Sequence, residues 1–411
     1  MHHTSDEVVA PPPQRRRQTS RVQAGPNSRF TVQREDAFDF LGAEYGTLFA
    51  ASEATAFQHG AWLHRIYDGL AADLSAHPRV VTIRDANTGA LAAVLPLVHR
   101  KRGPVRVVEF ADLGVSDYAK PVVATAAAAA LHHDATVKKG IRAALAPFDL
   151  VLVQRVPDSP HCFTALLPGS KAALHHYGTH RVCLPESVEE WPQTLEPSFQ
   201  RHLSRKYRRL RPKGGCQLRL VSDPAEVDSL MGTLRRFRRV RFSEHGGLDL
   251  LQEPRYFDFY SAVARDGVQG RGPARLNVLD VGGRPGAIAL DLADPDGEVY
   301  LVIGYDLERL RNYSLGLLIV DQLARSVIER GGTVLDLTVG DEPYKAQFGA
   351  QRSALYEVRV ARTPWGWGLY VGHRTYRRAR RAAKRVVEAG RAARGQVRQR
   401  AQDAHQYKRQ G

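Results

Sequence analysis

The sequence predicts an α/β (α+β) protein made of two similar halves, joined by a basic helical linker and followed by a basic helical tail. Three observations predict it. A β-hairpin, a strand, a helix and a further strand follow one another twice, at a separation of about 185–195 positions. A length of 411 residues, with 43% hydrophobic and 25% charged residues, suits two or three folded domains. The net charge of +16 is uneven: His373–Gly411 carries thirteen Lys/Arg against Glu388 and Asp403, a net +11. The expected division is residues 1–30, disordered; 31–186 and 187–365, the two halves, the second including the linker; and 366–411, the tail.

Residues 1 to about 30 are rich in Pro, Gln, Arg and Ser and read as disordered. A helical segment follows from Phe38 through Phe57 and Trp62 to Leu70. Val80–Gly89, ending in an Asn-Thr-Gly turn, is followed by Leu91–Val98, the pattern of a hairpin. Val105–Phe110 is a strand, Ala124–Leu145 a helix and Phe148–Val156 a strand rich in Val and Leu. From about Ser187 to Val227 runs the basic linker, and Asp223-Pro224 starts the next helix as N-cap and N1. The second half repeats the order: a hairpin over Arg275–Leu292, a strand Glu298–Tyr305, a helix Ser314–Arg330 and a strand Thr333–Val339.

The three cysteines, Cys162, Cys183 and Cys216, are too widely spaced for a disulfide framework or a zinc pattern. The first twenty residues hold no apolar core of a leader peptide, and no apolar run reaches the length of a membrane span. The expected location is cytoplasmic, or peripheral to the inner membrane. His175, His176, His180 and Cys183 fit no common zinc spacing, so no metal is expected.

The most informative stretch is Glu298–Gly349. A buried strand feeds a polar loop, Asp306–Tyr313, and a helix opens at Ser314 with Leu315, Leu318, Ile319, Leu323, Val327 and Ile328 at helical period. Such an opening points free N–H groups and the positive end of the helix dipole at the loop, which suits a phosphate or leaves an ordinary solvated loop. Arg309, Arg311 and Asn312 would add charge and donors.

The order of Tyr313-Ser-Leu-Gly316, a helix, Asp336 on a strand, Gly340-Asp-Glu-Pro-Tyr-Lys345 and Phe348-Gly349 resembles the FemAB-like, CelD-type group of the GNAT acetyltransferase superfamily. Phe57…Trp62, Leu95-Pro96-Leu97, Ser116-Asp117-Tyr118 and Arg205-Lys-Tyr-Arg-Arg209 are similar to that group as well. The likeness spans roughly residues 35–362 and implies two tandem GNAT-like domains that carry an acyl group from acetyl-CoA or another acyl-CoA to an amine or hydroxyl. The acceptor it implies is a small polar molecule, a sugar nucleotide or polysaccharide precursor. It further implies a bulge that splays two neighbouring strands, here Glu298–Tyr305 and Thr333–Val339. The donor's pantetheine arm would lie along the exposed edge at Ile303 and Tyr305. Its pyrophosphate would meet Arg311, Asn312, Tyr313, Ser314, Leu315 and Gly316. The sequence departs from the ordinary GNAT phosphate signature here, and FemAB-type relatives take their acyl group from aminoacyl-tRNA, a second donor class.

The resemblance makes Tyr344 the candidate general acid, with Asp336 and Asp341 as candidate bases. Glu342, Lys345 and Asp291 are candidate acceptor-binding groups. Two basic runs, Arg201–Lys213 and Arg235-Arg-Phe-Arg-Arg-Val-Arg241, could border an anionic substrate or form solvated helix faces. The tail has three- and four-residue spacing of small and apolar residues among arginines. It lacks Trp, Phe and Leu, so any contact with an anionic membrane would be electrostatic. Nucleic acid is not expected as a partner; a non-catalytic scaffold binding nucleic acid or membrane through the tail is the alternative outside the enzymes.

Overall fold

The computed structural model describes residues 19–22, 28–377 and 379. Most of the segment expected to be disordered, and the tail beyond 379, lie outside the described residues. The strands are β1 (Thr19–Val22), β2 (Phe30–Glu35), β3 (His77–Pro78), β4 (Val80–Asp85), β5 (Leu91–Leu95), β6 (Leu97–Arg102), β7 (Val105–Phe110), β8 (Val122–Val123), β9 (Leu150–Val156), β10 (Lys171–Cys183), β11 (Cys216–Leu220), β12 (Ala274–Val281), β13 (Arg284–Asp294), β14 (Gly297–Tyr305), β15 (Val334–Val339) and β16 (Gln351–Ala361). One sheet runs β1-β2-β4-β5-β8; the other runs β11-β12-β13-β14-β15-β10-β16-β9-β7-β6-β3.

The larger sheet holds strands of both halves: from one end β11, the hairpin β12-β13, β14 and β15; from the other β3, β6, β7 and β9, while the first-half hairpin β4/β5 lies in the smaller sheet. The two strands at its centre are exchanged. β10 follows β9 in the chain yet pairs with β15, and β16 follows β15 yet lies beside β9. The hydrophobic core is likewise shared: Trp62 meets Phe259 edge-on at 5.1 Å, and Phe57, Trp62 and Tyr118 belong to one buried cluster with Tyr260, Val299 and Val302.

The sequence places most elements within a few residues. The hairpins β4/β5 and β12/β13 and the strand β7 fall where their patterns predict. The helix expected over Ala124–Leu145 is two helices, Thr125–His133 and Ala135–Leu145, because the Asp134 carboxylate caps the second by accepting from the Thr136 and Val137 N–H groups. The basic linker is helical over Pro197–Leu210, but its last part, Cys216–Leu220, is an edge strand on β12. The strand β10 was not foreseen, since its histidines and small residues give no apolar alternation.

Among the described residues, 101–107, 147–150 and 361–377 form a compact unit of their own. Asp149 organises it, accepting from the Arg106 backbone N–H at 2.8 Å and guanidinium at 3.0 Å, and from the Thr363 hydroxyl at 3.2 Å. A helix occupies 364–377. No helix among the described residues is long and apolar enough to cross a membrane.

β14 and β15 meet closely at Gly297, where a Cβ would stand 1.9 Å from the Val334 carbonyl oxygen. Gly297→Ala must therefore push the two strands apart. The expected cost is about 1–3 kcal/mol, in the range of overpacked interiors, read as a lower midpoint of denaturant unfolding with unchanged slope.

Candidate functional site

β14 and β15 run parallel but pair only at Gly297–Val334, Glu298–Leu335 and Val299–Asp336. Beyond that point Tyr300–Tyr305 and Leu337–Val339 part company. A register shift between β13 and β14 at Leu290/Asp291 supplies the bulge that turns β14 away. On its other edge β15 is held by β10, with Thr179 opposite Val339. The splay expected from the resemblance is thus present, between the strands named for it. Its β14 edge is partly engaged, since the Ile303 carbonyl accepts from Arg238 Nη1 at 2.9 Å and Arg238 in turn pairs with Asp249 at 2.8 Å.

The helix Leu315–Glu329 opens at the wide end of this splay. Ser314 sits just before it in the left-handed region, φ +57°, and its hydroxyl makes no cap. In the first turn the Leu317 N–H donates to the Ser314 carbonyl at 2.8 Å, which leaves those of Leu315 and Gly316 without a carbonyl four residues back in the helix. Cations gather around them. Lys206 Nζ donates to the Asn312 carbonyl at 2.9 Å, and Arg209 and Lys213 stand 5.3 and 5.8 Å from the Tyr313 ring centre. Arg241 lies 5.5 Å from the ring of Tyr305, which packs against Gly316. The helix that carries Lys206 and Arg209 is fastened by a buried carboxylate. Asp321, on the Leu315–Glu329 helix, accepts from the Tyr207 hydroxyl at 2.6 Å and the Trp191 indole at 2.9 Å. Phe199, Leu203 and Leu210 bury the apolar stripe of Pro197–Leu210. One face of the linker helix is core, and the other offers its cations to the helix opening. Two residues expected at the phosphate are already partnered: Arg311 forms a two-point ion pair with Glu244, and Arg309 pairs with Asp306.

The splay has two lined faces. On one, Tyr300, Ile303, Tyr305 and Tyr344 belong to the cluster that packs around the Leu315–Glu329 helix. Burial holds the Tyr344 phenol well above its ordinary range, with the Glu342 charge pushing the same way and Arg241 opposing. It therefore stays protonated at neutral pH. On the other face Asp336 is 4% exposed and fully engaged. It accepts from the Tyr118 hydroxyl at 2.8 Å, the Thr338 N–H at 2.7 Å and Arg181 Nε at 3.1 Å.

Beside it lies Asp117, which the sequence reading noted only as part of Ser116-Asp117-Tyr118. Its side chain keeps 23% exposure and faces Arg155 Nη1 at 3.5 Å. Burial pushes the Asp117 carboxyl up, against the pull of Arg155 and of the Thr338 side chain. A largely buried carboxylate raised by that burial next to a strand splay is a candidate proton acceptor.

The remaining expected site residues are placed as follows. Asp341 pairs with Arg352 at 2.9 Å and lies 3.7 Å from His180 Nε2. Glu342 pairs with Lys345 at 3.0 Å. Lys345 is 2% exposed, and its ammonium donates to the carbonyls of Thr338, Val339 and Gly340 at 3.1, 3.2 and 3.1 Å, clamping the end of β15. Asp291 is wholly buried, accepting from Asn277 Nδ2 at 3.0 Å. Burial first, and the neighbouring Glu298 charge second, raise its carboxyl well above the ordinary range. A pocket of about 330 Å³ opens on the Asp336 face, lined by Glu53, Asp158, Asp294 and Asp296 against Lys120 and Arg181. Among the described residues no group of His, Cys, Asp and Glu is arranged to hold a metal ion.

This geometry agrees with sequence comparison. Residues 197–346 match the family model of the acetyltransferase (GNAT) domain, so the chain carries a segment of that kind. The matched segment begins at the cation-bearing helix and ends just past Tyr344. Among solved structures it is similar to FemX, at 12% identity and a TM-score of 0.51 over 74% of this chain and 92% of that one. It is also similar to the C-terminal domain of a putative lysylphosphatidylglycerol synthetase from Agrobacterium fabrum, at 12% identity and 0.50 over 82% and 95%. A tandem GNAT protein from the clavulanic acid biosynthesis pathway is similar at 11% identity and 0.40, over 85% and 99%. The first two likenesses bear on the fold. No curated protein matches the sequence.

Lys345 distinguishes a structural from a substrate-binding role. Lys345→Met leaves three strand-end carbonyls and Glu342 without their cation and should cost on the order of 3 kcal/mol. Denaturant unfolding should show that loss, while a Lys345→Arg variant recovers part of it.

Proposed function

We propose that this protein transfers an acyl group from an acyl-CoA to the amino group of a small polar acceptor. The observation that carries the reading is the β14/β15 splay, flanked on one face by a cation-ringed helix opening and on the other by carboxylates. The donor's pyrophosphate would lie at the N–H groups of Leu315 and Gly316, among Lys206, Arg209 and Lys213. Its pantetheine arm would follow the β14 edge past Tyr305 and Ile303, where Arg238 must yield the Ile303 carbonyl or share it. Such an arrangement places the thioester in the narrowing splay, near Tyr344.

The acceptor would enter from the acidic pocket. Its carboxylates suit a protonated amine better than the diphosphate of a sugar nucleotide, so within the glycan precursors implied by the resemblance an amino sugar fits best. Asp117 takes a proton from the ammonium, and the freed nitrogen attacks the thioester carbonyl carbon. Backbone N–H groups of the open β14 edge face the developing oxyanion. As the C–S bond breaks, Tyr344 gives its proton to the departing thiolate, and its phenolate takes one back from the attacking nitrogen, which leaves as the neutral amide while the net proton stays on Asp117. Asp336 holds Tyr118, Arg181 and the Thr338 turn in place and does not itself exchange protons. An acyl-CoA donor would set the reaction in the cytoplasm.

One observation favours a second donor. Arg201, Arg205 and Arg208 extend the cations along Pro197–Leu210, with Arg211 just past its end, beyond the reach of a single pyrophosphate, as a longer polyanion such as aminoacyl-tRNA would need.

Calorimetric titration with acetyl-CoA and longer acyl-CoAs separates the two. Micromolar binding is expected, lost in Tyr313→Ala and kept in Tyr344→Phe. Absence of binding by every acyl-CoA, with retention of an aminoacyl-tRNA, would overturn the donor assignment.

Given a turned-over acceptor, Tyr344→Phe and Asp117→Asn should each lower kcat by about 10²-fold or more. The Asp117 carboxylate is the active form and its pKa is raised. The rate should therefore rise with pH through a midpoint above the ordinary carboxylate range, and Asp117→Asn should abolish that limb.

A further inference from the structure

The compact unit built on Asp149 exposes two indoles that nothing in the acyl-transfer reading uses. The chain has four tryptophans. Trp62 and Trp191 are fully buried, whereas Trp365 and Trp367 are 74% and 60% exposed. The packing of the helix over 364–377 explains this. Gly366 lies against the Asp149 backbone, where a Cβ would stand 2.1 Å from the carbonyl oxygen, and Tyr370 is 4% exposed. With that face turned inward, both tryptophans are turned out.

Helical spacing extends the exposed face. Trp365, Gly368, Gly372 and Tyr376 follow at i, i+3, i+7 and i+11, and all four are exposed, Tyr376 at 65%. The glycines leave the rings standing clear. A helix that presents two indoles and a phenol to water carries an apolar surface that no other described residue covers. Tryptophan and tyrosine are the side chains enriched where a bilayer meets water, since an apolar ring carries a polar tip.

Charge identifies the kind of surface. From Val358 to Val387 there is no acidic residue, while nine Lys/Arg occur, and the net charge from His373 onward is +11. Rings come first along the chain and charge follows, the order of an aromatic anchor beside a polybasic stretch. A nucleic acid would ask for cations interleaved with the rings. Here the stripe between Trp365 and Tyr376 holds glycines, and Arg374, on the described helix, is spent on the Tyr370 hydroxyl at 3.0 Å.

We infer that the helix over 364–377 docks on an anionic phospholipid bilayer, with Trp365 and Trp367 in the interface. The tail alone would make a purely electrostatic contact; the tryptophans just upstream make it an apolar one as well.

The chain supplies its own reporter, since the other two tryptophans are already buried. The full-length protein is titrated with vesicles of phosphatidylcholine containing one-third phosphatidylglycerol, and with vesicles of phosphatidylcholine alone. Tryptophan emission, acrylamide quenching and co-sedimentation are followed. On the anionic vesicles emission should move to shorter wavelength with protection from quencher, and on neutral vesicles it should not. The double variant Trp365→Ala/Trp367→Ala should lose the spectral change and weaken partitioning by roughly a factor of ten or more. Its thermal melt should match that of the parent because both side chains are exposed. If the melt falls instead, Trp365→Leu/Trp367→Leu keeps the apolar surface and should keep most of the partitioning. Co-sedimentation with unchanged emission, or equal partitioning of parent and alanine variant, overturns the docking of the helix. A single-stranded oligoribonucleotide that gives the same spectral change more tightly than the anionic vesicles overturns the assignment to a membrane.

Discussion

The exchange of β10 and β16 is the constraint on which the rest of the molecule depends. Each half contributes to the centre of the large sheet a strand that the other half needs. β15 would be an open edge without β10, and its pairing with β10 fixes where β15 can go when it leaves β14. The splay is therefore set from both sides: by the bulge between β13 and β14, and by a strand from the opposite half that keeps β15 from closing back.

Asp336 works at the point where these constraints meet. One carboxylate binds Tyr118 from the first half, Arg181 from the exchanged strand and the Thr338 N–H from its own strand. A buried charge is tolerable only when so surrounded. The same arrangement leaves Thr338 at φ +58°, a left-handed turn that a threonine adopts only under outside restraint, and Lys345 supplies that restraint by binding the three carbonyls that follow. Asp336 and Lys345 fasten a strand end, while the less conspicuous Asp117 beside them keeps part of its side chain exposed.

The fold was legible where periodicity is strong. The alternation of β4, β5, β12 and β13, the apolar run of β14 and the helical stripe from Leu315 to Ile328 each announce their element. β10 gave no such signal because its neighbours, not its own sequence, make it a strand. Of the site, the helix opening and the splay were legible through the resemblance, and Tyr344 lies at the splay. Arg311 and Lys345 could not be read as engaged, since their partners, Glu244 and the carbonyls of Thr338–Gly340, are chosen by tertiary packing. The role of the linker helix was half legible: its arginines were visible, but the Tyr207–Asp321 bond that turns them toward Tyr313 spans 114 positions.

The exchanged strands also bear on how the chain comes into being. As the polypeptide is made, β10 emerges long before β15 and β16 exist to receive it. The first half must wait with an unpaired edge and with Trp62 short of Phe259. Assembly is thus a single late event rather than two successive ones, dominated by contacts distant in sequence, and such contacts form slowly. A chain interrupted between the halves would yield two pieces that are incomplete alone and complementary together, so this enzyme would behave under fragmentation as an obligate pair.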